Sequence, residues 1–341
     1  MKRWRFPFAS ALAALLLLAG TVGCAESGET YAAFAPEESD RLVVYTSHKP
    51  EVYGPIVEAF ESRIGIWVAV ETGGTNELLA RIEKEADAPV CDIMFGGGVE
   101  SLESYRDLFE SVRCADCGQI SPALREPEDA WTPFSALPVV LIYNPMLVDP
   151  AELTGWADLA KPEFFGEIAF AAPTKSASSF TAVATVWQGC GQKLTAAIAR
   201  NLAGQQLDSS GQVLTQVAGG EKLVGVTLEE TALQRIAAGD NLALVYPKEG
   251  TSCVPDGTAV LLGAPHRDNA LKFLDFTLSR AVQEMLGSRF YRRSVRQDIA
   301  LSDTLPGMDD LILVDYDIPW AARSRSEILK AWSDAVKEGA Q

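Results

Sequence analysis

From residue 42 onward, short apolar runs alternate with stretches whose apolar residues recur every three to four positions. Residues 42–46, 66–70 and 92–95 are β-rich and predict strands. Between them, 51–63 places Val52, Ile56, Val57 and Phe60 on one face of a helix, and 76–85 has the same period. A longer apolar run follows at 136–143, and the alternation restarts with a strand at 168–171. It continues through helices at 178–188, 194–201 and 211–218, a strand at 223–227, a helix at 229–238 and a strand at 242–246. Residues 258–262 then predict a strand, and 268–278 and 281–286 predict helices. Strands and helices in this order imply βαβ units and sheets with parallel strands. The restart marks a second lobe.

The amino terminus follows a different pattern. A basic tip (Lys2, Arg3, Arg5) leads into an apolar run over 9–22, about 14 residues where a membrane-spanning helix needs about 20. This is the profile of an export signal over residues 1–23. Cys24 is the first nucleophile after it and is expected to carry a lipid anchor. Residues 24–40 are polar, small and acidic, and read as a flexible spacer. The expected lobes are 41–137 with 250–341, and 138–249, in a mature chain of about 318 of the 341 residues.

Charge narrows the possible partners. The formal net charge is −17, and loss of the three basic signal residues takes it to about −20, with no basic stripe. Nucleic acid is therefore excluded as a partner. Five cysteines follow Cys24. Cys114 and Cys117 form a C-x-x-C, read as a local disulfide or as free thiols, because zinc would want a second pair or nearby histidines and the chain has only His48 and His266.

Ligands of open α/β sheets sit beyond the carboxyl ends of the strands. The loops there carry Ser47 and His48, then Thr75 and Asn76 after two glycines, then Gly97 in a triple glycine. In the second lobe, Ser176, Ser178 and Ser179 crowd one helix start beside Thr174 and Lys175. Hydroxyls next to unpaired N–H groups at a helix N-terminus suit an oxyanion. Asp208, Ser209, Thr227, Lys248 and Glu249 lie at further strand or helix ends, with Asp208 and Glu249 as candidate acceptors for hydroxyls or an amine. The chain lacks a G-x-S-x-G elbow, an H-E-x-x-H motif and a phosphate-binding P-loop. A binding protein without a cofactor is expected, not an enzyme.

The stretches LVVYTSHKPEVYGPIVEAFE, CDIMFGGGVESLESY, YPKEGTSCVPDGTAVLLGA and ALKFLDFTLSRAVQEMLGSRFYRRSVR carry a resemblance that runs from residue 41 to about 299. The chain resembles an extracellular solute-binding protein of an ABC importer, in the ferric-iron, phosphonate and sugar-phosphate branch. The resemblance implies a type II periplasmic-binding fold, two α/β lobes joined by crossing segments near 134–141 and 246–255. It implies a monomeric receptor for a small molecule, with permease and ATPase subunits as partners, exported and held at the cell envelope. Ferric-binding members typically use an adjacent Tyr-Tyr pair where this chain has Gly225-Val226-Thr227-Leu228, so a phosphorylated or phosphonate solute is the expected ligand, with ferric iron as the alternative. Ala177 stands where relatives often have glycine. A receptor that signals to a sensory partner is the other reading of the same fold.

Overall fold

The computed structural model describes residues 36–301 and 305–341. The expected signal at 1–23, Cys24 and residues 24–35 of the spacer lie outside the described residues.

The first lobe is built as the sequence pattern dictates. Strand β1 (Arg41–Thr46) leads into α1 (Pro50–Ile64), which starts with proline at its first position and buries Val52, Ile56, Val57 and Phe60. Gly65, at φ 79°, ends the helix in the left-handed conformation. Then follow β2 (Trp67–Thr72), α2 (Thr75–Lys84), β3 (Ile93–Gly98) and the short α3 (Val99–Ser104). Strand β1 pairs in parallel with both β2 and β3.

Strand β4 (Thr132–Tyr143) is 12 residues long and buried throughout. That explains the unbroken apolar run over 136–143, since a strand covered on both faces loses the polar alternation. After β5 (Ile168–Ala169) come α4 (Ala177–Cys190), α5 (Gln192–Asn201), α6 (Ser210–Gly219), β6 (Val224–Leu228), α7 (Glu229–Ala237) and β7 (Ala243–Val245). Strand β8 (Cys253–Val260) returns to the first lobe, followed by α8 (Arg267–Thr277), α9 (Arg280–Phe290) and β9 (Arg293–Ser294).

The sheet order is β2-β1-β3-β8-β4-β6-β5, with β7 and β9 also on β4. Its hinge is β4 itself. Residues 132–138 pair with β8, whereas 139–143 pair with β6 and β7. The crossing strands run antiparallel to their neighbours, so each sheet is mixed, parallel at β1/β2, β1/β3 and β5/β6. The molecule is thus an α/β protein of two lobes, each with apolar cores on both sheet faces. Phe60, Phe95, Phe134 and Phe273 meet in the first lobe, and Trp156, Phe164 and Phe180 in the second.

The carboxyl terminus departs from expectation. Residues 250–341 were assigned to the first lobe, but α10 (Ile318–Arg323) and α11 (Arg325–Gly339) carry the chain back across. Helix α11 buries Ile328, Trp332, Ala335 and Val336 in the second-lobe core, where the Trp332 ring lies 4.8 Å from Phe170. The spacer assignment also changes at its end. Asn269 Nδ2 donates to the Ser39 carbonyl at 2.7 Å and His266 Nε2 lies 3.0 Å from Glu38 Oε1, so residues 36–40 are docked on the first lobe. Cys114 and Cys117 are free thiols. Among the described residues no helix is long and apolar enough to cross a membrane.

Candidate functional site

Where β1 ends, Thr46 Oγ1 donates to the Phe95 carbonyl at 2.6 Å and accepts from the His48 N–H at 3.1 Å. The turn this fixes turns His48 inward. Its ring packs against Phe95 and Phe134, with centroids 4.6 and 5.3 Å away. The glycines of β3 leave the room it needs. A Cβ on Gly96 would lie 2.7 Å from His48 Nε2, and one on Gly97 would lie 2.6 Å from Thr75 Cγ2. Both residues have φ near +100°, at 93° and 109°, a region that L side chains rarely occupy.

The second lobe offers the start of α4 opposite. Ser176 caps that helix by accepting from the Ser179 N–H at 3.3 Å, and its hydroxyl lies 3.0 Å from that of Ser178. A Cβ on Gly98 would come within 3.8 Å of the Ala177 methyl, so the two lobes nearly touch here. Between them is a cavity of about 140 Å³. Ser47, His48, Thr75, Gly97, Asp256 and Arg292 line it from the first lobe, and Ala177, Ser178 and Thr181 from the second.

A buried polar network floors this cavity. Asp256 Oδ1 accepts from the Ser135 N–H and hydroxyl at 2.8 and 2.7 Å, and its Oδ2 accepts from Arg292 at 2.7 Å. Arg292 also donates to Glu230 across the hinge at 3.3 Å. Two nitrogens of the network, His48 Nε2 and Arg292 Nε, are buried without a hydrogen-bond partner. Asp256 Oδ2 lies 3.6 Å from the first, beyond hydrogen-bond reach. Leaving a buried polar atom unsatisfied costs about 1–3 kcal/mol, so each of the two calls for a partner.

Burial lowers the His48 pKa to about 4, with Asp256 opposing and the Arg292 charge assisting. The ring is therefore neutral at pH 7 and offers one donor and one acceptor. The sign of the linkage follows. Between pH 6.5 and about 4 the unfolded chain binds a proton that the folded chain refuses, so stability falls on acidification, by roughly 3 kcal/mol in all. At His266 burial also opposes charging, but the bonds to Asp92 and Glu38 outweigh it and raise the pKa above 6.5. Its contribution is full below the unfolded pKa and fades as pH rises through the folded one. Urea midpoints measured at pH 7 and pH 5 should show a smaller acid loss in His48→Gln than in the parent, and a larger one in His266→Gln. An unchanged acid loss in His48→Gln would contradict the buried neutral ring.

Of the residues singled out in the sequence, Ser47, His48, Thr75, Gly97 and Ser178 share this cavity. Ser176 and Ser179 make the cap behind it. Thr227, buried in β6 opposite Val140, precedes Leu228, which does line the cavity. Asn76 accepts from the Ser101 hydroxyl at 3.2 Å. The others lie apart from the cavity. Asp208 forms an exposed ion pair with Lys175, and its N–H and that of Ser209 donate to Gln212 Oε1. Lys248 donates to Thr154 Oγ1 at 2.7 Å. Glu249 is not a free acceptor, because its carboxylate binds the Trp156 and Ala157 N–H groups at 2.9 and 3.1 Å. Sequence reasoning missed Asp256, Arg292 and Thr181. The signal for the second was a pair of adjacent arginines, Arg292 and Arg293, just beyond α9.

A family model described as "Bacterial extracellular solute-binding protein" matches residues 42–292. An uncharacterized protein of Haemophilus influenzae is 27% identical over 319 residues, covering 87% of this chain and 91% of its own. Iron uptake protein A1 of a Synechocystis species is 24% identical over 300 residues, covering 83% of each chain. Among solved structures, the periplasmic binding protein AfuA from Actinobacillus pleuropneumoniae, with exogenous fructose-6-phosphate bound, superposes with a TM-score of 0.80. It is 25% identical, and the match covers 87% of this chain and 98% of that one.

Proposed function

Because this chain belongs to the bacterial extracellular solute-binding proteins, we propose that it is the receptor of an ABC importer that captures a small anionic organic solute between its lobes. A phosphorylated or phosphonate compound fits best. The receptor then delivers this solute to a membrane permease driven by ATPase subunits, held in the cell envelope, in the periplasm or on the outer face of the cytoplasmic membrane, through a lipid on Cys24. The observation that carries the reading is the pair of buried, unpartnered nitrogens on His48 and Arg292, two residues that line a cavity bounded by two helix N-termini.

Those groups suit an oxyanion. Helices α2 and α4 are ten and 14 residues long, and each presents unpaired N–H groups and a positive dipole end. Thr75 and Ser178 add hydroxyl donors beside them. Ferric iron would instead need several free anionic oxygens, and both carboxylate oxygens of Asp256 already accept hydrogen bonds. The relatives divide along the same line, one named for iron uptake and one solved with fructose-6-phosphate. The overall charge of −17 repels an anion, but screening over about 8 Å at physiological salt leaves capture to short-range bonds.

Thermal-shift titration of the purified protein with hexose phosphates, aminoalkylphosphonates and ferric citrate tests the reading. A hexose phosphate or phosphonate at a hundred times its Kd should stabilise by about 2.7 kcal/mol. A shift with ferric citrate alone would overturn the oxyanion assignment. The double variant Thr75→Ala, Ser178→Ala should weaken binding at least tenfold, since each hydrogen bond to a charged group is worth about 1.5–3 kcal/mol. The melting temperature of its ligand-free form should stay within a degree or so of the parent, because neither hydroxyl caps its helix.

A further inference from the structure

Away from the interlobe cavity, on the first lobe, the loop before β4 holds the two thiols of the C-x-x-C. The Cys117 N–H donates to the Cys114 carbonyl at 3.3 Å, closing a four-residue turn. A hydrogen-bonded turn of this kind holds its first and fourth Cα atoms within 7 Å, which brings them into the range a disulfide requires. The two residues between the thiols are pinned to the lobe. The Ala115 N–H donates to Asp275 Oδ1 at 2.8 Å, and Asp116 accepts from Arg296 at 2.6 Å. Arg125 donates to the Gly118 and Ile120 carbonyls just beyond.

The two sulfurs differ in environment. Cys114 is buried in the first-lobe core, and burial, with Cys117 adjacent, pushes its pKa up to about 12. Cys117 is half-buried, and Arg113 Nε donates to its Sγ at 2.9 Å. Cys117 is therefore the more accessible of the two sulfurs to a disulfide-bearing co-reactant, with the Arg113 guanidinium beside it. Both thiols and Arg113 border a cavity of about 200 Å³ open to solvent.

We propose that Cys114 and Cys117 form a redox-active dithiol, with Cys117 as the attacking thiol and Cys114 as the resolving one. The co-reactant is a small disulfide or the disulfide of a thiol oxidoreductase. The Cys117 thiolate attacks one sulfur of the donor, forming a mixed disulfide and releasing one donor thiolate. Cys114, giving up its proton to solvent, then attacks Cys117 Sγ, closing the Cys114–Cys117 bond and releasing the second donor thiolate. Two protein thiols are oxidised and one donor disulfide is reduced. The pinned turn means that closure asks for little backbone movement, and the bond would lock the turn within the loop before β4. This dithiol is independent of which solute the interlobe cavity takes.

Oxidised glutathione serves as the probe. Cleavage after Arg113 and Arg125 releases both cysteines in one peptide, 114–125. After incubation with oxidised glutathione this peptide should be lighter by two hydrogens and refractory to iodoacetamide, and a thiol reductant should restore both alkylation sites. Cys114→Ser should accumulate a glutathione adduct on Cys117, whereas Cys117→Ser should leave Cys114 unmodified, and Arg113→Gln should slow closure several-fold. If the parent peptide stays fully alkylatable at every ratio of oxidised to reduced glutathione, the proposal fails without recourse to any variant. Equal adduct formation in the two serine variants would refute the assignment of roles.

Discussion

Glu229→Gln should cost about 3–5 kcal/mol of folding stability, the largest loss expected from any single conservative replacement in this chain. Arg293 grips Glu229 with two parallel bonds, Nε to Oε2 at 2.8 Å and NH2 to Oε1 at 2.7 Å. Each side chain is only 1% exposed. Glu229 also accepts from the Tyr246 hydroxyl, and Arg293 donates to the Pro306 carbonyl at 2.9 Å. Glu229 opens α7 in the second lobe and Arg293 sits in β9 beside the first-lobe part of β4, so the pair spans the hinge. The replacement leaves a guanidinium buried without its counter-charge. An isosteric amide still accepts one bond but supplies no compensating field. The urea midpoint of Glu229→Gln measures the loss. The double variant Glu229→Gln, Arg293→Met should lose less than the two single losses added together, because the second change removes the stranded charge. Additive losses would mean that the pair is not coupled.

That ion pair illustrates what the sequence could and could not disclose. Elements whose apolar residues repeat were legible, because the same residues that set the period face the core. Helix α1 has Val52, Ile56, Val57 and Phe60 both in the pattern and in the packed interior. Strand β4 was legible as an apolar run but began four residues earlier than read, since Thr132 and Ser135 are buried polar residues that break the run without leaving the strand. Helix α11 escaped although Ile328, Trp332, Ala335 and Val336 carry the helical spacing and Ser324 and Glu327 stand before them in the order of a helix start.

The candidate site divides in the same way. Loops at strand ends are local features, so Ser47, His48, Thr75, Gly97 and Ser178 could be found one segment at a time. The network beneath them joins residues 48, 135, 230, 256 and 292. No local period links those positions; only the sheet order, with β8 between β3 and β4, brings them together. Asp208, Lys248 and Glu249 read as ligand groups because they are polar at element ends. Polar residues at element ends serve just as well to hold neighbouring backbone and side chains, which is how the structure uses them.

Gly96→Ala should be the most damaging single change to ligand capture. At φ 93° the new methyl strains the backbone, at a cost of about 1–3 kcal/mol. It would also lie 2.7 Å from His48 Nε2. The imidazole cannot retreat, because Phe95 and Phe134 flank it at 4.6 and 5.3 Å, and forcing extra volume into a packed site costs a further 1–3 kcal/mol or so. The ring must therefore turn, taking its free nitrogen away from the position it holds beside Asp256 and Arg292. Binding should weaken at least tenfold, about 1.4 kcal/mol, along with a fall in the melting temperature of the ligand-free protein. Gly287→Ala provides the contrast. That residue lies inside α9, and its added methyl meets only the Arg292 carbonyl, at an ordinary 3.7 Å. There alanine should stabilise by about 0.5–1 kcal/mol and leave affinity unchanged. Calorimetric titration of both variants with the solute found by thermal shift separates the cases. A Gly96→Ala protein that binds as tightly as the parent would remove His48 from the site and leave the two helix N-termini to hold the anion alone.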